Sequence, residues 1–205
     1  MASKTATMIC LHGIDRIISG IVKNIFCLVR PPGHHALNTG RIEGFCFYNH
    51  IAVAAKYIQI KYKLKKILIV DWDYHHGNST EHFFYDDPSI LFFSTHDQFA
   101  YPGTGSPEKK GRGNGLGYNV NIHLPCGTND EKILKIYRTK LFEKAIKFKP
   151  DFVLISAGFD SRKEDPLGCF DLSDEAFEGL TKVVVNIANQ FCDGRILSVL
   201  EGGYN

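Results

Sequence analysis

The chain has 205 residues, of which 44% are apolar and 12% aromatic, enough to bury one sizeable core in a single globular domain. Its charge is nearly balanced, with 24 basic and 22 acidic residues. This balance argues against the strongly basic surface that is typical of nucleic-acid-binding proteins. No stretch approaches the roughly 20 apolar residues of a membrane-spanning helix, and the N-terminus lacks a secretory pattern. We therefore expect no direct contact with nucleic acid and none with a membrane.

Hydrophobic periodicity and turn residues divide the chain into alternating helices and strands. The predicted helices cover residues 7–19, 44–63, 130–147 and 174–191, the last of them capped by Ser173. The predicted strands cover residues 24–29, 67–70, 89–94, 118–124, 152–156 and 196–200. This alternation predicts an α/β fold with one domain, a mostly parallel sheet and helices on both of its faces.

Residues 101–117 are predicted to be a loop rich in glycine, lysine and arginine. The loop lacks the G-x-x-x-x-G-K-[ST] spacing of a phosphate loop, so we reject that interpretation.

Six cysteines are scattered along the chain, at positions 10, 27, 46, 126, 169 and 192. No two of them form a C-x-x-C pair. This distribution predicts reduced thiols, most of them in the core, and a protein of the nucleus or the cytoplasm. It also predicts that cysteine is not a metal ligand here.

In an open parallel sheet, ligands bind beyond the carboxyl ends of the strands. Polar residues follow four of the predicted strands at that edge. They are His34 and His35 behind two prolines, then Asp71, Asp73 and His75, then Asp160, and finally Tyr204. Their convergence predicts an active site.

The stretch Ile67–Asn78, I-L-I-V-D-W-D-Y-H-H-G-N, carries the most chemical information. Burying its carboxylates and imidazoles for packing alone is too costly, because unpaired charge must be desolvated. Alternate residues at a strand end share a direction, so Asp73 and His75 are placed to hold one metal ion. Their oxygen and nitrogen donors suit zinc. The alternative is a polar loop whose side chains satisfy one another.

Asp160 would add a second carboxylate to this set and leave one zinc position open for water, as a catalytic site requires. Two further histidines can transfer protons, and a tyrosine can donate a hydrogen bond to a developing oxyanion. The residues therefore predict metal-assisted hydrolysis of an amide or an ester.

Seven segments together resemble the histone deacetylase and acetylpolyamine amidohydrolase family, which has the arginase-type α/β fold. They are R-P-P-G-H-H-A (30–36), G-F-C-F-Y-N (44–49), D-W-D-Y-H-H-G-N (71–78), Y-P-G-T-G (101–105), S-A-G-F-D (156–160), D-P-L-G (165–168) and E-G-G-Y-N (201–205). The resemblance implies that residues 1–205 are a histone deacetylase-like catalytic domain. With Asn78 where some members have aspartate, the chain is similar to the class II branch. Family domains are longer, so it also implies a partial domain.

The resemblance implies a role for each matching residue. The implied zinc ligands are Asp73, His75 and Asp160. The implied catalytic residues are His34, His35, Asp71, Asn78 and Tyr204. The implied substrate-binding residues are Gly44, Phe45, Tyr101, Leu167 and Gly203.

Within these sets, His35 would be the general base and Tyr204 would polarise the scissile carbonyl. Phe45 and Tyr101 would flank an acyl-lysine channel, and Gly44 would offer its carbonyl to the substrate amide. Since Gly202 and Gly203 precede Tyr204 near the end of the sequence, we expect its hydroxyl to be poorly held.

The resemblance also implies structural potassium, bound largely through carbonyls. The residues of one potassium site would be Asp71, Asp73, His75, Ser94 and Thr95. A second site would lie near Phe84, Asp87, Ile90 and Tyr118.

The implied activity is zinc-dependent removal of the acetyl group from acetyl-lysine in histones or other proteins. The resemblance also suggests co-repressor proteins as partners. Acetylpolyamine deacetylation is an alternative, although Leu167 stands where polyamine-selective relatives can place an acidic residue. Two more hypotheses stay open at this point: an arginase-like dimanganese hydrolase, and a truncated domain that binds zinc or partners without turnover.

Overall fold

One parallel six-stranded sheet forms the centre of the fold. The computed structural model describes residues 1–205. Its strands are β1 (Asn24–Cys27), β2 (Ile67–Asp71), β3 (Ile90–His96), β4 (Asn119–His123), β5 (Phe152–Ala157) and β6 (Ile196–Leu200). They lie in the order β1-β6-β5-β2-β3-β4, and every neighbouring pair is parallel. The predicted α/β class is confirmed.

Helices cover both faces of this sheet. They are α1 (Ala2–Ile18), α2 (His50–Tyr62), α3 (Asn78–Phe84), α4 (Asp130–Ile136), α5 (Phe142–Phe148) and α6 (Asp174–Phe191). The buried residues of α1–α3 belong to one hydrophobic cluster and those of α4–α6 to another. No helix combines the length and the apolar character that crossing a bilayer requires.

Strand β2 shows how the sequence produces these two cores. Ile67 and Ile69 join the cluster beneath α1–α3, whereas Leu68 and Val70 join the opposite one, as the twofold periodicity of a strand requires. All residues of β2 are buried. Its continuous apolar run is therefore explained by helices on both sides.

Several element boundaries differ from the sequence prediction. Residues 44–49 precede α2 rather than begin it, and the Asn49 side chain caps the helix by accepting a hydrogen bond from the Ala52 N–H at 2.8 Å. Helix α3 was not predicted, because it is a seven-residue element without apolar periodicity. The predicted helix over 130–147 contains a π-helical turn, Tyr137–Leu141, between α4 and α5.

Ser173 occupies the predicted N-cap position of α6, but its side chain makes no capping bond. Its hydroxyl donates to Asp130 Oδ2 at 2.6 Å, and its N–H donates to Asp130 Oδ1 at 2.9 Å. The residue therefore ties the start of α6 to the start of α4.

The prediction that all cysteines are reduced is wrong for one pair, since Cys126 and Cys169 form a disulfide. Two loops meet there, and the Gly127 N–H donates to the Cys169 carbonyl at 2.7 Å. The pairing arises from a tertiary contact between residues 43 positions apart, which sequence spacing does not reveal. The free cysteines are Cys10, Cys27, Cys46 and Cys192, and all of them are buried as predicted.

We expect Ile69→Ala to lower the free energy of unfolding by about 2–5 kcal/mol, because it leaves a cavity in the centre of the sheet. Ile69 is 0% exposed, whereas Ile60 on α2 is 69% exposed. The matched variant Ile60→Ala should change stability by no more than about 0.5 kcal/mol. Urea denaturation measures both, and equal effects of the two substitutions would contradict the assigned core.

Candidate metal and catalytic site

The predicted site residues meet at the carboxyl edge of the sheet. They follow β1, β6, β5 and β2, and these strands are consecutive neighbours in the sheet order. Four segments that are distant in sequence therefore end side by side. Because parallel strands present their carboxyl ends at the same edge, the side chains that follow them converge.

Three residues form the centre of this site: Asp73, His75 and Asp160. We call them the metal group, because together they could hold a metal ion. One potential ligand atom from each lies within 4.8 Å of the others. His75 Nδ1 is 3.2 Å from Asp73 Oδ1 and 2.9 Å from Asp160 Oδ2. Both carboxylates are buried. The structure thus brings the three predicted zinc ligands together.

Burial and the charges of neighbouring side chains shift the pKa values of Asp160 and His75. Burial, together with the neighbouring charge of Asp73, raises the pKa of Asp160 to about 7. Burial also opposes protonation of His75, but its bonds to Asp160 and Asp73 outweigh burial and raise its pKa to about 10. A protonated His75, or a bound metal ion in its place, would compensate the charge of the two buried carboxylates. A set of two oxygen donors and one nitrogen donor fits zinc.

Backbone N–H groups orient the carboxylates. The Gly202 N–H donates to Asp73 Oδ2 at 2.7 Å, and the Tyr74 N–H donates to Asp160 Oδ1 at 2.9 Å. Since a Cβ at Gly202 would overlap both carboxylates, only glycine allows this close approach. Such outer bonds fix the direction in which a ligating oxygen points.

Two adjacent histidines lie beside the metal group, each with a different partner. His34 Nδ1 is 3.0 Å from Asp71 Oδ2, and His35 Nδ1 is 2.7 Å from Asn78 Oδ1. Both acceptor oxygens lack a hydrogen, so each Nδ1 carries the proton. His35 Nε2 is consequently free to accept one.

The two histidines differ in charge. Burial disfavours protonation of His34, but the charges of Asp73 and Asp71 hold its pKa well above the usual value. Burial and the neighbouring charge of His34 lower the pKa of His35 to about 2. At neutral pH, His34 is therefore cationic and His35 is neutral, which suits His35 to accept a proton.

An open cavity of about 490 Å³ leads to these residues. It is lined by His35, Ile42, Gly44, Phe45, His75, Tyr101, Leu167 and Tyr204. The ring centroid of Tyr101 lies 5.1 Å from that of His35, and the Phe45 and Tyr204 rings are 5.9 Å apart. The cavity is thus an aromatic-walled channel that ends at the metal group.

Gly44 and Phe45 make a tight bend around His35. Both residues have positive φ angles, 52° and 65°. A Cβ at Gly44 would overlap the His35 ring, so this position requires glycine. The Gly44 carbonyl accepts a hydrogen bond from Cys46 Sγ at 3.3 Å.

The backbone just before Tyr204 is held by hydrogen bonds with two distant residues. The Tyr204 N–H donates to Asp165 Oδ2 at 2.8 Å, and Arg30 donates to the Gly203 carbonyl at 2.9 Å. The Arg30 guanidinium also lies 5.5 Å from the centroid of the Tyr204 ring. Burial raises the pKa of Tyr204, which keeps its hydroxyl protonated as a donor. Gly203 lines a neighbouring cavity rather than the channel.

The residues of the first implied potassium site lie around the end of β2, where Asp71 is paired in register with Ser94 of β3. The Thr95 hydroxyl is 3.1 Å from the Tyr137 hydroxyl. At the second implied site, the Phe84 carbonyl accepts the Asp87 N–H at 3.0 Å and the Asp87 carbonyl accepts the Ile90 N–H at 3.3 Å. The Tyr118 carbonyl accepts the Phe92 N–H at 2.9 Å.

Sequence reasoning assigned no role to Arg30, Asp165 or Glu201. All three bond to backbone groups of the site segments. One signal was available for Glu201, because it follows a buried strand directly, as the assigned carboxylates do. Arg30 and Asp165 gave no such signal, since their bonds depend on tertiary contacts.

Comparison with known proteins agrees with this geometry. The histone deacetylase domain model matches residues 1–205. Histone deacetylase 15 of Arabidopsis thaliana is 42% identical over 208 residues, covering 100% of this chain and 37% of that protein. A probable deacetylase of Archaeoglobus fulgidus is 43% identical over 195 residues, which are 95% of this chain and 54% of the relative.

A chloroplastic relative, histone deacetylase 10 of Oryza sativa subsp. japonica, is 44% identical over 180 residues, covering 88% of this chain and 40% of its own length. The crystal structure of the HDA15 HD domain superposes with a TM-score of 0.92 at 42% identity, covering 100% of this chain and 57% of that one.

These observations define the class of protein. It is an α/β domain that carries two aspartates and a histidine, able to hold a metal ion, at the carboxyl edge of its sheet. The chain belongs to the histone deacetylase family. It spans 37% to 54% of the length of these three curated relatives.

We expect Asp160→Ala to lower the zinc content of the purified protein sharply, because the variant keeps only two of three converging ligands. Asp174→Ala is the matched control, since Asp174 is an exposed aspartate paired with Arg162 on the surface. Elemental analysis gives zinc per chain for both variants. Full zinc retention in Asp160→Ala would rule out the assigned ligand set.

Proposed function

We propose that this chain carries the catalytic centre of a zinc-dependent protein lysine deacetylase, which hydrolyses the acetyl amide of acetyl-lysine in histones or other proteins. The observation that carries the proposal is the channel, which has aromatic walls and ends at His75, His35 and Tyr204. A channel with aromatic walls suits the long aliphatic stem of an acylated lysine. The polar groups at its end suit the amide.

Asp73, His75 and Asp160 would hold the zinc ion. When bound, zinc supplies Lewis-acid polarisation of a carbonyl and lowers the pKa of water. One potassium ion would bind at the end of β2 beside Ser94 and Thr95, and a second near residues 84–90 and Tyr118.

His35 is the general base in this proposal. Its Nε2 accepts the proton of the attacking water, while Asn78 holds the ring through Nδ1. The proton then passes to the lysine nitrogen as the C–N bond breaks, which releases the free amine and acetic acid, and the acid then loses its remaining proton to solvent as acetate. His34 stays cationic against Asp71 and stabilises the negative charge that develops nearby.

Tyr204 acts on the carbonyl oxygen. Its hydroxyl keeps its proton, as the direction of its pKa shift indicates, and it donates to that oxygen as negative charge develops. The peptide group that joins Gly203 to Tyr204 is bonded at both its carbonyl and its N–H, which favours such a role. Gly44 would accept a hydrogen bond from the substrate amide N–H.

The partners that we propose are acetylated histone or non-histone proteins, with co-repressor proteins as further partners. We propose the nucleus or the cytoplasm as the location. Some relatives are named chloroplastic, so location varies among similar proteins.

We expect the chain to turn over an acetyl-lysine peptide faster than acetylspermidine, by at least about tenfold in kcat/KM. None of the residues that line the channel is acidic, so the second ammonium of the polyamine finds no partner. Desolvating it costs more than the ~1.4 kcal/mol that corresponds to a factor of ten. Leu167→Glu should narrow the ratio. A wild-type preference for acetylspermidine would move the function to polyamines.

We expect Tyr204→Phe to reduce kcat by about 100- to 1000-fold, because one oxyanion donor is lost. Tyr48→Phe is the matched control, since Tyr48 lies in a different groove and should leave kcat unchanged. Steady-state kinetics on an acetyl-lysine peptide measures both variants. A loss below about tenfold in Tyr204→Phe would show that its hydroxyl does not face the reacting carbonyl.

A further inference from the structure

Glu201 is a buried carboxylate that the proposed reaction does not use. It follows β6 directly and is 0% exposed. A buried carboxylate is costly unless it is hydrogen-bonded. Its partners therefore indicate what it does.

All of the hydrogen bonds to the Glu201 side chain come from other segments. Oε2 accepts the Gly33 N–H at 2.7 Å and the His34 N–H at 3.2 Å. Oε1 accepts a hydrogen bond from Ser156 Oγ at 3.2 Å. Both backbone donors lie in the loop that carries the histidine pair, where no neighbouring strand is available to accept them.

Arg30 makes the converse contacts. Its guanidinium donates to the Glu201 carbonyl and, at 2.9 Å, to the Gly203 carbonyl. Arg30 thus hydrogen-bonds to the backbone just before Tyr204, while Glu201 hydrogen-bonds to the backbone of Gly33 and His34. We call this pair of residues, Arg30 and Glu201, the reciprocal clamp.

The clamp lies between groups that must act on the same substrate atoms. On one side are the histidines that handle the proton, and on the other is Tyr204, which faces the carbonyl oxygen. Gly202, between the clamped carbonyls, donates its N–H to the metal-group carboxylate of Asp73 at 2.7 Å. A shift of about 1 Å between such groups can cost on the order of 100-fold in rate.

We propose that Arg30 and Glu201 are positioning residues that fix the distance between the histidine pair and Tyr204. This inference rests on the proposed deacetylase function. Neither residue touches the substrate. Glu201, which precedes Tyr204 in sequence, holds the segment of the histidine pair. Arg30, which precedes the histidine pair, holds the segment of Tyr204.

The test compares Glu201→Ala, Glu201→Gln and Arg30→Ala in the full chain loaded with zinc. Removing the acceptor from two backbone donors should lower kcat about 10- to 100-fold, with KM within about threefold of wild type. Glu201→Gln should restore most of the rate. Its amide oxygen can accept both N–H groups, and its NH₂ can donate to the Ser156 hydroxyl.

Arg30→Ala should lower kcat over a similar range, and the double variant Arg30→Ala/Glu201→Ala should be little worse than the slower single variant, because both act through one unit. Arg162→Ala is the control, since Arg162 lines the same neighbouring cavity as Arg30 and should leave kcat unchanged. Zinc content should equal that of wild type in all variants.

Hydrogen–deuterium exchange tests the contacts without any turnover. Glu201→Ala should speed exchange in peptides covering residues 33–36, and Arg30→Ala should do so in those covering residues 201–205. If wild type hydrolyses no acetyl-lysine peptide, the proposed function fails while the exchange result still reports on the clamp. If Glu201→Ala does not fold, Arg30→Ala and Glu201→Gln carry the test, because Arg30 is exposed.

Three results would overturn the proposal. The first is unchanged kcat in folded, zinc-loaded Glu201→Ala or, where that variant does not fold, in Arg30→Ala. The second is a rate loss that zinc loss fully explains. The third is a Glu201→Gln variant as slow as Glu201→Ala, because a neutral acceptor would then not suffice.

Discussion

Two negative charges, on Asp73 and Asp160, are buried side by side at the carboxyl edge of the sheet, and the rest of the site compensates for them. Each carboxylate is held by a backbone N–H, from Gly202 and from Tyr74. The imidazole of His75 bridges them. Without a cation, Asp160 holds a proton up to a pH of about 7, since burial and Asp73 both disfavour its charge. A divalent ion at this group would offset that penalty, which supports the proposed metal site.

The same charges set the chemistry of the histidine pair. His34 and His35 are adjacent and both buried, with ring centroids 4.0 Å apart, but one faces a carboxylate and the other an amide. The charges of Asp73 and Asp71 favour the cation at His34, whereas burial and the charge of His34 favour neutral imidazole at His35. Two identical side chains thus acquire different proton affinities. The difference comes from the carboxylates that lie beside His34 and from the cation that His34 presents to His35.

The sequence predicted the fold class, the six strands and the residues that converge, because these follow from local patterns. Alternating apolar runs and helices indicate a parallel sheet, and polar residues directly after a strand indicate its ligand edge. It did not predict α3, which is short and lacks periodicity, or the Cys126–Cys169 disulfide, which joins residues 43 positions apart. It also gave no sign of the bonds that hold the backbone before Tyr204. The glycines before it suggested freedom, whereas Asp165 and Arg30 hold the backbone from distant segments.

The strand order explains why the metal group lies beside the ends of β2 and β5. No local sequence pattern predicts that order. From β2 the chain continues through α3 to β3 on one side, and from β5 it continues through α6 to β6 on the other. These helices pack on opposite faces of the sheet. Because the two connections diverge, the neighbouring ends of β2 and β5 mark the topological switch point, which is where open α/β sheets bind ligands. Asp73 follows β2 and Asp160 follows β5, so the two buried carboxylates meet at that point.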